Sequence, residues 1–115
     1  MRVAAAPLDL LTGDVPSNLA QARSAVEAAA AAGAELLALP EMWPTSFVPN
    51  AGPDELASSQ RAVEDLAQHA AAAGIAVVGS AFGPVDASER PSNRLHLLDG
   101  GAIHALHRSE EHTSE

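Results

Sequence analysis

A ten-residue pattern occurs twice in the chain and determines the order of its secondary structure. Residues 30–39 are Ala-Ala-Ala-Gly-Ala-Glu-Leu-Leu-Ala-Leu, and residues 71–80 are Ala-Ala-Ala-Gly-Ile-Ala-Val-Val-Gly-Ser. Each copy predicts a helix end, a glycine suited to the left-handed conformation, and then a short apolar strand buried on both faces. With a strand at the start of the chain, the order becomes strand, helix, strand, helix, strand. That order implies parallel strands joined by right-handed crossovers, and therefore an α/β fold.

Capping residues and turn signals bound the predicted elements. Asp14 is suited to cap the first helix and Pro53 to begin the second. Gly33 and Gly74 are well placed to end them. Asp99-Gly100-Gly101 is a tight-turn signal, so the last two strands should form an antiparallel hairpin. The predicted strands are 2–11 (apolar core 3–6), 35–39, 75–80, 93–98 and 102–107, the helices are 15–32 and 53–73, and a polar loop covers 83–91.

The charge of the chain argues against several classes of partner. The 115 residues carry a formal net charge of −9. Because no basic patch is present to meet phosphates, neither nucleic acid nor an anionic membrane is an expected partner. The apolar runs are too short or too rich in alanine to span a bilayer, and no signal peptide is recognised. We therefore expect a soluble, cytoplasmic protein, and the alanine richness is typical of high-GC bacteria.

The chain contains neither cysteine nor lysine. The lack of cysteine excludes disulfides, thiolate metal sites and a cysteine nucleophile within these residues. The histidines do not indicate a metal site, because His104 and His107 face opposite sides of a strand. His96 and His104 could be cross-strand neighbours, but no carboxylate completes a ligand set with them. We expect these strand histidines to be exposed, His69 to lie on the surface of the second helix, and neither metal nor cofactor to be bound.

Glu41 is the one ionisable residue with both a suggestive position and a suggestive context. It follows Pro40, which cannot donate to a sheet and should end the strand. Glu41 then lies at the carboxyl end of a core strand, where sites form in open α/β sheets. The apolar Met42, Trp43 and Phe47 follow, and a carboxylate partly desolvated among them would suit general-base catalysis. The alternative is a solvated glutamate at a strand end.

The segments around Glu41 agree with one another in motif, order and spacing. They are Gly33-Ala34-Glu35-Leu36-Leu37-Ala38-Leu39-Pro40-Glu41, Trp43-Pro44-Thr45-Ser46-Phe47, the opening strand from Arg2, Gly13-Asp14 with Asn18, Gly79-Ser80, Ser92-Asn93-Arg94-Leu95, and the hairpin from Asp99-Gly100 to His107-Arg108. Together, over residues 2–108, they resemble the nitrilase superfamily, which hydrolyses carbon–nitrogen bonds of amides, nitriles and carbamoyl compounds. The chain would then be the N-terminal part of a nitrilase-type αββα sandwich.

The resemblance also implies a mechanism. Family members use a Glu-Lys-Cys triad in which the glutamate acts as general base, the cysteine attacks the carbon, and the lysine stabilises the oxyanion. Glu41 matches the general base. A small-molecule amide or nitrile would be the substrate of the full-length parent, no cofactor would be required, and the parent would be a homo-oligomer.

The chain departs from the family pattern where two triad members should stand. The family lysine would fall at Ser109, and the nucleophilic cysteine would lie beyond residue 115. Residues 108–115, Arg-Ser-Glu-Glu-His-Thr-Ser-Glu, resemble the in-frame translation of a widely used sequencing-adapter oligonucleotide. We therefore interpret 1–107 as the N-terminal portion of a carbon–nitrogen hydrolase domain and 108–115 as a non-native tail. With only the glutamate of the triad, the chain is expected to be inactive.

Two other interpretations stay open at this point. A small flavodoxin-like α/β module could bind a ligand or regulate a partner through the strand ends near Glu41 and the loop at 9–14. It lacks the phosphate-binding turn expected after the first strand. A purely structural protein would leave the motif around Glu41 without an explanation.

Overall fold

The computed structural model describes residues 1–83 and 92–108, with the side chains of 107 and 108 excepted. The predicted polar loop therefore lies outside the described residues from 84 to 91. The predicted non-native tail lies outside them from residue 109 onward, which includes the expected position of the lysine. Arg108 is the last residue of the last strand.

The strands form one five-stranded sheet in the order β1-β2-β3-β4-β5. The first three are parallel, and β4 is antiparallel to both β3 and β5. The α/β class and the predicted order, β-α-β-α-β followed by a hairpin, are confirmed. The strands are β1 (Val3–Ala5), β2 (Leu36–Ala38), β3 (Ala76–Phe82), β4 (Asn93–Asp99) and β5 (Ala102–Arg108).

The first strand is much shorter than predicted. Its last link to the neighbouring strand is the hydrogen bond from Ala6 N to Ala38 O, at 3.1 Å. Pro7 comes next and has no N–H to donate, so the pairing stops there. At the other end of the sheet, Gly100 and Gly101 both have positive φ, at 62° and 90°, as a two-residue hairpin turn requires.

Two helices, α1 (Val15–Ala31) and α2 (Pro53–Ala73), connect the parallel strands. Asp14 accepts a hydrogen bond from Ser17 N at 3.1 Å and caps α1 as predicted. In the first turn of α2, Glu55 accepts one from Gly52 N at 2.9 Å. Neither helix combines the length and apolar character needed to cross a membrane.

Both helices contribute to one core on the same face of the sheet. Leu37, Val77 and Leu98 are register partners on adjacent strands, and each is at most 1% exposed. Small side chains let the helices approach them closely; the buried alanines of the two helices are Ala22, Ala29, Ala62, Ala67 and Ala70. A flavodoxin-like sheet has the order 2-1-3-4-5 with helices on both faces, so that alternative does not fit the observed topology.

The opposite face of the sheet is covered by none of the described elements. Side chains alternate along a strand, so Ala38, Val78 and Leu97, which are register partners, point to this second face. They are half-buried, and the neighbouring Leu95 is 39% exposed. The prediction that the second and third strands are buried on both faces is therefore wrong for the described chain, because the helices cover one face only.

Candidate active site

Glu41 lies in a turn at the carboxyl end of β2. The pairing of β2 with β3 ends at the hydrogen bond from Leu39 N to Val78 O, at 2.9 Å. Pro40 follows and ends the strand as predicted. Residues 41–45 then form a turn, with Met42 in the left-handed conformation at φ 56°. A non-glycine residue costs about 1 kcal/mol or more in this conformation, so the turn needs support from its surroundings.

Strand β3 supplies part of that support through Ser80. Its hydroxyl accepts a hydrogen bond from Met42 N at 2.9 Å, and its carbonyl accepts one from Trp43 N at 3.2 Å. The side chains of Met42 and Trp43 are consequently directed inward and are 2% and 0% exposed. Two consecutive N–H groups of the turn are thus fixed by a single strand residue.

The first turn of α1 and the loop before it support the other end of the turn. Asn18 is fully buried and donates to Pro44 O at 2.9 Å and to Leu11 O at 2.8 Å, while its side-chain oxygen accepts from Leu11 N. Gly13 N adds a bond to Thr45 O at 2.8 Å. The buried amide therefore has its hydrogen bonds satisfied and ties the turn to the start of α1.

The carboxylate of Glu41 is held by the first residue of β4. Asn93 Nδ2 donates to Glu41 Oε2 at 2.8 Å, across 52 residues of sequence. An amide donor fixes the orientation of a carboxylate while leaving it able to accept a proton. In the sequence, Asn93 stands out only through the resemblance, because its contact with Glu41 is set by the sheet and has no local signal.

Glu41 itself is exposed, which differs from the expected partial desolvation. The three apolar neighbours expected to cover it do not do so. Met42 and Trp43 turn toward the core, and Phe47 points outward with 62% of its surface exposed. The left-handed Met42 reverses the chain at this point, so the apolar residues and the carboxylate leave the turn in different directions.

A cavity of about 370 Å³ adjoins the carboxylate. This volume is near the lower end of small-molecule sites. Glu41 and Asn93 form its polar end, whereas aliphatic side chains from β3 and β4 form its walls. The residues that line it are Leu39, Glu41, Val78, Gly79, Ser80, Asn93 and Leu95.

Trp43 contacts His96 of β4 behind the turn. The indole Nε1 donates to His96 Nε2 at 3.3 Å, and the two rings meet edge to face at 6.5 Å. His96 is only 5% exposed, and its burial lowers its pKa to about 4. The expectation that His96 is exposed is therefore wrong, because its side chain lies on the helix-covered face.

The other two histidines whose side chains the structure describes, His69 and His104, do not combine with His96 into a site. In the hairpin, His96 faces Ala105 and His104 faces Leu97, so the two histidines are not cross-strand neighbours. His104 is exposed as expected. His69 is half-buried between the helices, with Nε2 at 3.0 Å from Glu27 Oε2 of α1. No group of metal-ligating side chains occurs among the residues that the structure describes.

The family model for carbon-nitrogen hydrolase matches residues 2–111, nearly the whole chain. The chain belongs to the carbon-nitrogen hydrolase family. No curated protein matches it in sequence. Residues 1–115 of this carbon-nitrogen hydrolase chain contain neither lysine nor cysteine.

Solved structures of an amidase from Nesterenkonia sp. are similar to this hydrolase chain. One is 27% identical with a TM-score of 0.77, covering 94% of this chain and 41% of the amidase. A variant in complex with butyramide is 28% identical with a TM-score of 0.78, covering 91% and 41%. A third structure is a glutamate-to-leucine variant with covalent addition of the acetamide moiety of fluoroacetamide at its active site cysteine. It is 26% identical with a TM-score of 0.77, covering 94% of this chain and 41% of the amidase.

The chain spans about two fifths of the length of these amidases. A variant of the same amidase, 25% identical with a TM-score of 0.78, is described as a member of the nitrilase superfamily. The five-stranded sheet and its two helices therefore correspond to part of the nitrilase-type fold. Over the residues that the structure describes, that part consists of one helical layer and one sheet.

Proposed function

We propose that this chain is the N-terminal part of a hydrolase of nonpeptide carbon–nitrogen bonds and that Glu41 is its general base. One observation carries the proposal. The carboxylate lies at the carboxyl end of β2, is oriented by Asn93 at 2.8 Å, and adjoins a cavity of about 370 Å³. The similarity to amidase structures supports the reaction class.

In the proposed reaction, Glu41 accepts the proton of a cysteine thiol. The thiolate adds to the substrate carbon, a lysine stabilises the resulting oxyanion, and the amine leaves with a proton. Water then adds to the thioester and releases the acid. A positioned general base contributes roughly 10²- to 10⁴-fold to such a reaction. The cysteine and lysine have no counterpart in residues 1–115, so the rest of the parent protein would have to supply them.

The proposed substrate is a small aliphatic amide, with nitriles and carbamoyl compounds as alternatives. Butyramide occupies a variant of the similar amidase. In the chain described here, Leu39, Val78 and Leu95 would offer apolar contact to a short alkyl group. The polar end of the same cavity, Glu41 with Asn93, would face the amide.

We propose that the parent protein is a homo-oligomer, which rests on the family resemblance alone.

A chimera tests the role of Glu41. Residues 2–107 would replace the matching part of the Nesterenkonia amidase, which would provide its active site cysteine. We expect the chimera to hydrolyse butyramide and Glu41→Gln to lower kcat at least about 100-fold, because glutamine cannot accept the thiol proton. Glu64→Gln, at an exposed position on α2, is the matched control and should keep full activity.

The unmodified chain provides the complementary test. Without a nucleophile it should hydrolyse no amide or nitrile above background, and Glu41→Gln should change nothing in it. A Glu41-dependent activity of the 115-residue chain would refute the proposed mechanism, as would a fully active Glu41→Gln chimera.

A further inference from the structure

Trp43 and His96 form a buried contact directly behind the turn that presents Glu41. Trp43 is the only tryptophan of the chain and is fully buried. Its indole Nε1 lies 3.3 Å from His96 Nε2, with the two rings at 85° to each other. The mechanism proposed above gives neither residue a role.

The direction of this hydrogen bond fixes the state of the imidazole. An indole N–H can only donate, so His96 Nε2 must carry a lone pair, and the proton of the neutral ring resides on Nδ1. Burial lowers the pKa of His96 to about 4, so the ring is neutral at neutral pH and the acceptor is present. Among the residues that the structure describes, the cavity beside His96 is lined by one other ionisable group, Arg94 of β4, together with Gln60 and Val63 of α2.

Strand β4 therefore contacts the turn on both sides of the sheet. Asn93 holds the carboxylate of Glu41 on the uncovered face, and His96 holds the indole of Trp43 on the helix-covered face. Trp43 is two residues from Glu41 in the same turn, and its backbone N–H is fixed by Ser80 O at 3.2 Å. Movement of the indole would thus be transmitted to the carboxylate through a short, hydrogen-bonded segment.

We propose that His96 is a positioning residue for Glu41, acting as the hydrogen-bond acceptor that fixes Trp43. The role of His96 in the reaction rests on the proposed function, because the orientation of Glu41 matters to catalysis only if Glu41 is the general base. The contact itself is a property of the chain and can be measured without turnover.

The test uses the full chain with ¹⁵N-labelled tryptophan and asparagine. One indole signal and three pairs of asparagine side-chain signals are expected, and Asn93→Ala identifies the pair that belongs to the residue in contact with Glu41.

His96→Leu removes the hydrogen-bond acceptor of Trp43, so indole hydrogen exchange should become at least about 10-fold faster. The Asn93 signal should move toward its position in Glu41→Gln. His96→Gln retains an acceptor and should stay close to the wild type. His104→Leu, at an exposed position of the same hairpin, is the control and should change neither signal.

Acid titration provides a measurement that does not depend on the folding of His96→Leu. Protonation of His96 converts Nε2 into a donor, so Trp43 fluorescence should change near pH 4 in the wild type and not in His96→Gln. The same transition in both proteins, or in neither, would overturn the proposal.

An Asn93 signal that stays in place in a folded His96→Leu chain would overturn it as well, since the turn would then be fixed without His96. None of these measurements involves hydrolysis. The proposed function is refuted by a different result, an amidase chimera that stays active with Glu41→Gln, which says nothing about the contact between Trp43 and His96.

Discussion

The backbone of Gly79 lies against the indole of Trp43. A Cβ atom at position 79 would come within 2.9 Å of Trp43 Cδ1 and within 3.2 Å of its Nε1. Real Cβ atoms essentially never approach a neighbour this closely, so a side chain at this position must displace the ring. The strand residue and the turn residue are therefore matched: the tryptophan fits because β3 has no side chain at this point.

Gly79→Ala should lower the free energy of unfolding by roughly 1–3 kcal/mol, the usual cost of overpacking a closed core. Urea unfolding followed by circular dichroism measures the loss. The smaller ring of Trp43→Phe should relieve the contact, so the cost of Gly79→Ala should shrink in that background. Equal costs in both backgrounds would show that the indole is not what the new methyl group meets.

The buried His96 should make stability depend on pH. Its pKa in the folded chain, about 4, is below the ordinary value of 6.5, so the unfolded chain binds the proton first as the pH falls. The contribution of the neutral ring is complete above pH 6.5 and declines between pH 6.5 and about 4. The loss amounts to about 3 kcal/mol for a shift of this size.

The difference in unfolding free energy between the wild type and His96→Gln isolates this effect from the many carboxylates that also titrate in acid. The difference should fall from pH 6.5 to about 4 and be constant at higher pH. A difference that does not vary over this interval would contradict the assignment of His96 as a buried neutral ring.

Asn93→Ala should reduce catalysis in the amidase chimera more than it reduces stability. The amide fixes one oxygen of Glu41 at 2.8 Å, but Glu41 is exposed and Asn93 only half-buried, so the effect of this bond on folding should be small. We expect kcat to fall about 10-fold, equivalent to about 1.4 kcal/mol in the barrier. Gln68→Ala, an exposed amide of α2, is the control. Unchanged kcat in Asn93→Ala would remove the orienting role assigned to this residue.

The parts of the fold that sequence predicts are those set by neighbouring residues. Asp14 caps α1 through a contact three residues away, Gly33 and Gly74 have φ of 85° and 75° after their helices, and Pro40 ends β2. Each of these effects follows from the covalent structure of one residue and its immediate surroundings. The position of Glu41 at a strand end follows from the same local rules.

The contacts that complete the site depend on residues far apart in sequence. Asn93 meets Glu41 across 52 residues, His96 meets Trp43 across 53, and Ser80 meets Met42 across 38. Such contacts depend on strand order and register, which leave no periodic signal. The burial of His96 has the same origin. The alternation of side chains along β4 predicts that His96 lies on the same face as its second neighbours, but only the packing of α2 shows that this face is covered.

The origin of residues 108–115 can be tested at the level of DNA. If these residues are translated adapter, long-read sequencing of the source locus should show Arg-Lys in place of Arg108-Ser109 and a cysteine codon further downstream. The family match extends to residue 111, so a native origin of this segment is the competing outcome. Finding the present codons followed by a native stop would establish a native origin, and Glu41 would then have no lysine or cysteine partner in the same chain.

The uncovered face of the sheet should make the isolated chain associate. Val78 and Leu97 are half-buried there and Leu95 is 39% exposed, so apolar surface that folding has not removed from water is available to a second copy. Sedimentation velocity should show larger species as the concentration rises, and thermal unfolding should show a broad transition.

Leu95→Lys places a charge on this face and should shift the chain toward monomer. Leu11→Lys, which alters a loop residue that is 47% exposed, should have no such effect. A sharp, concentration-independent melt of a wild-type monomer would mean that one helical layer and one sheet are sufficient for an independent domain, and that the second face needs no partner.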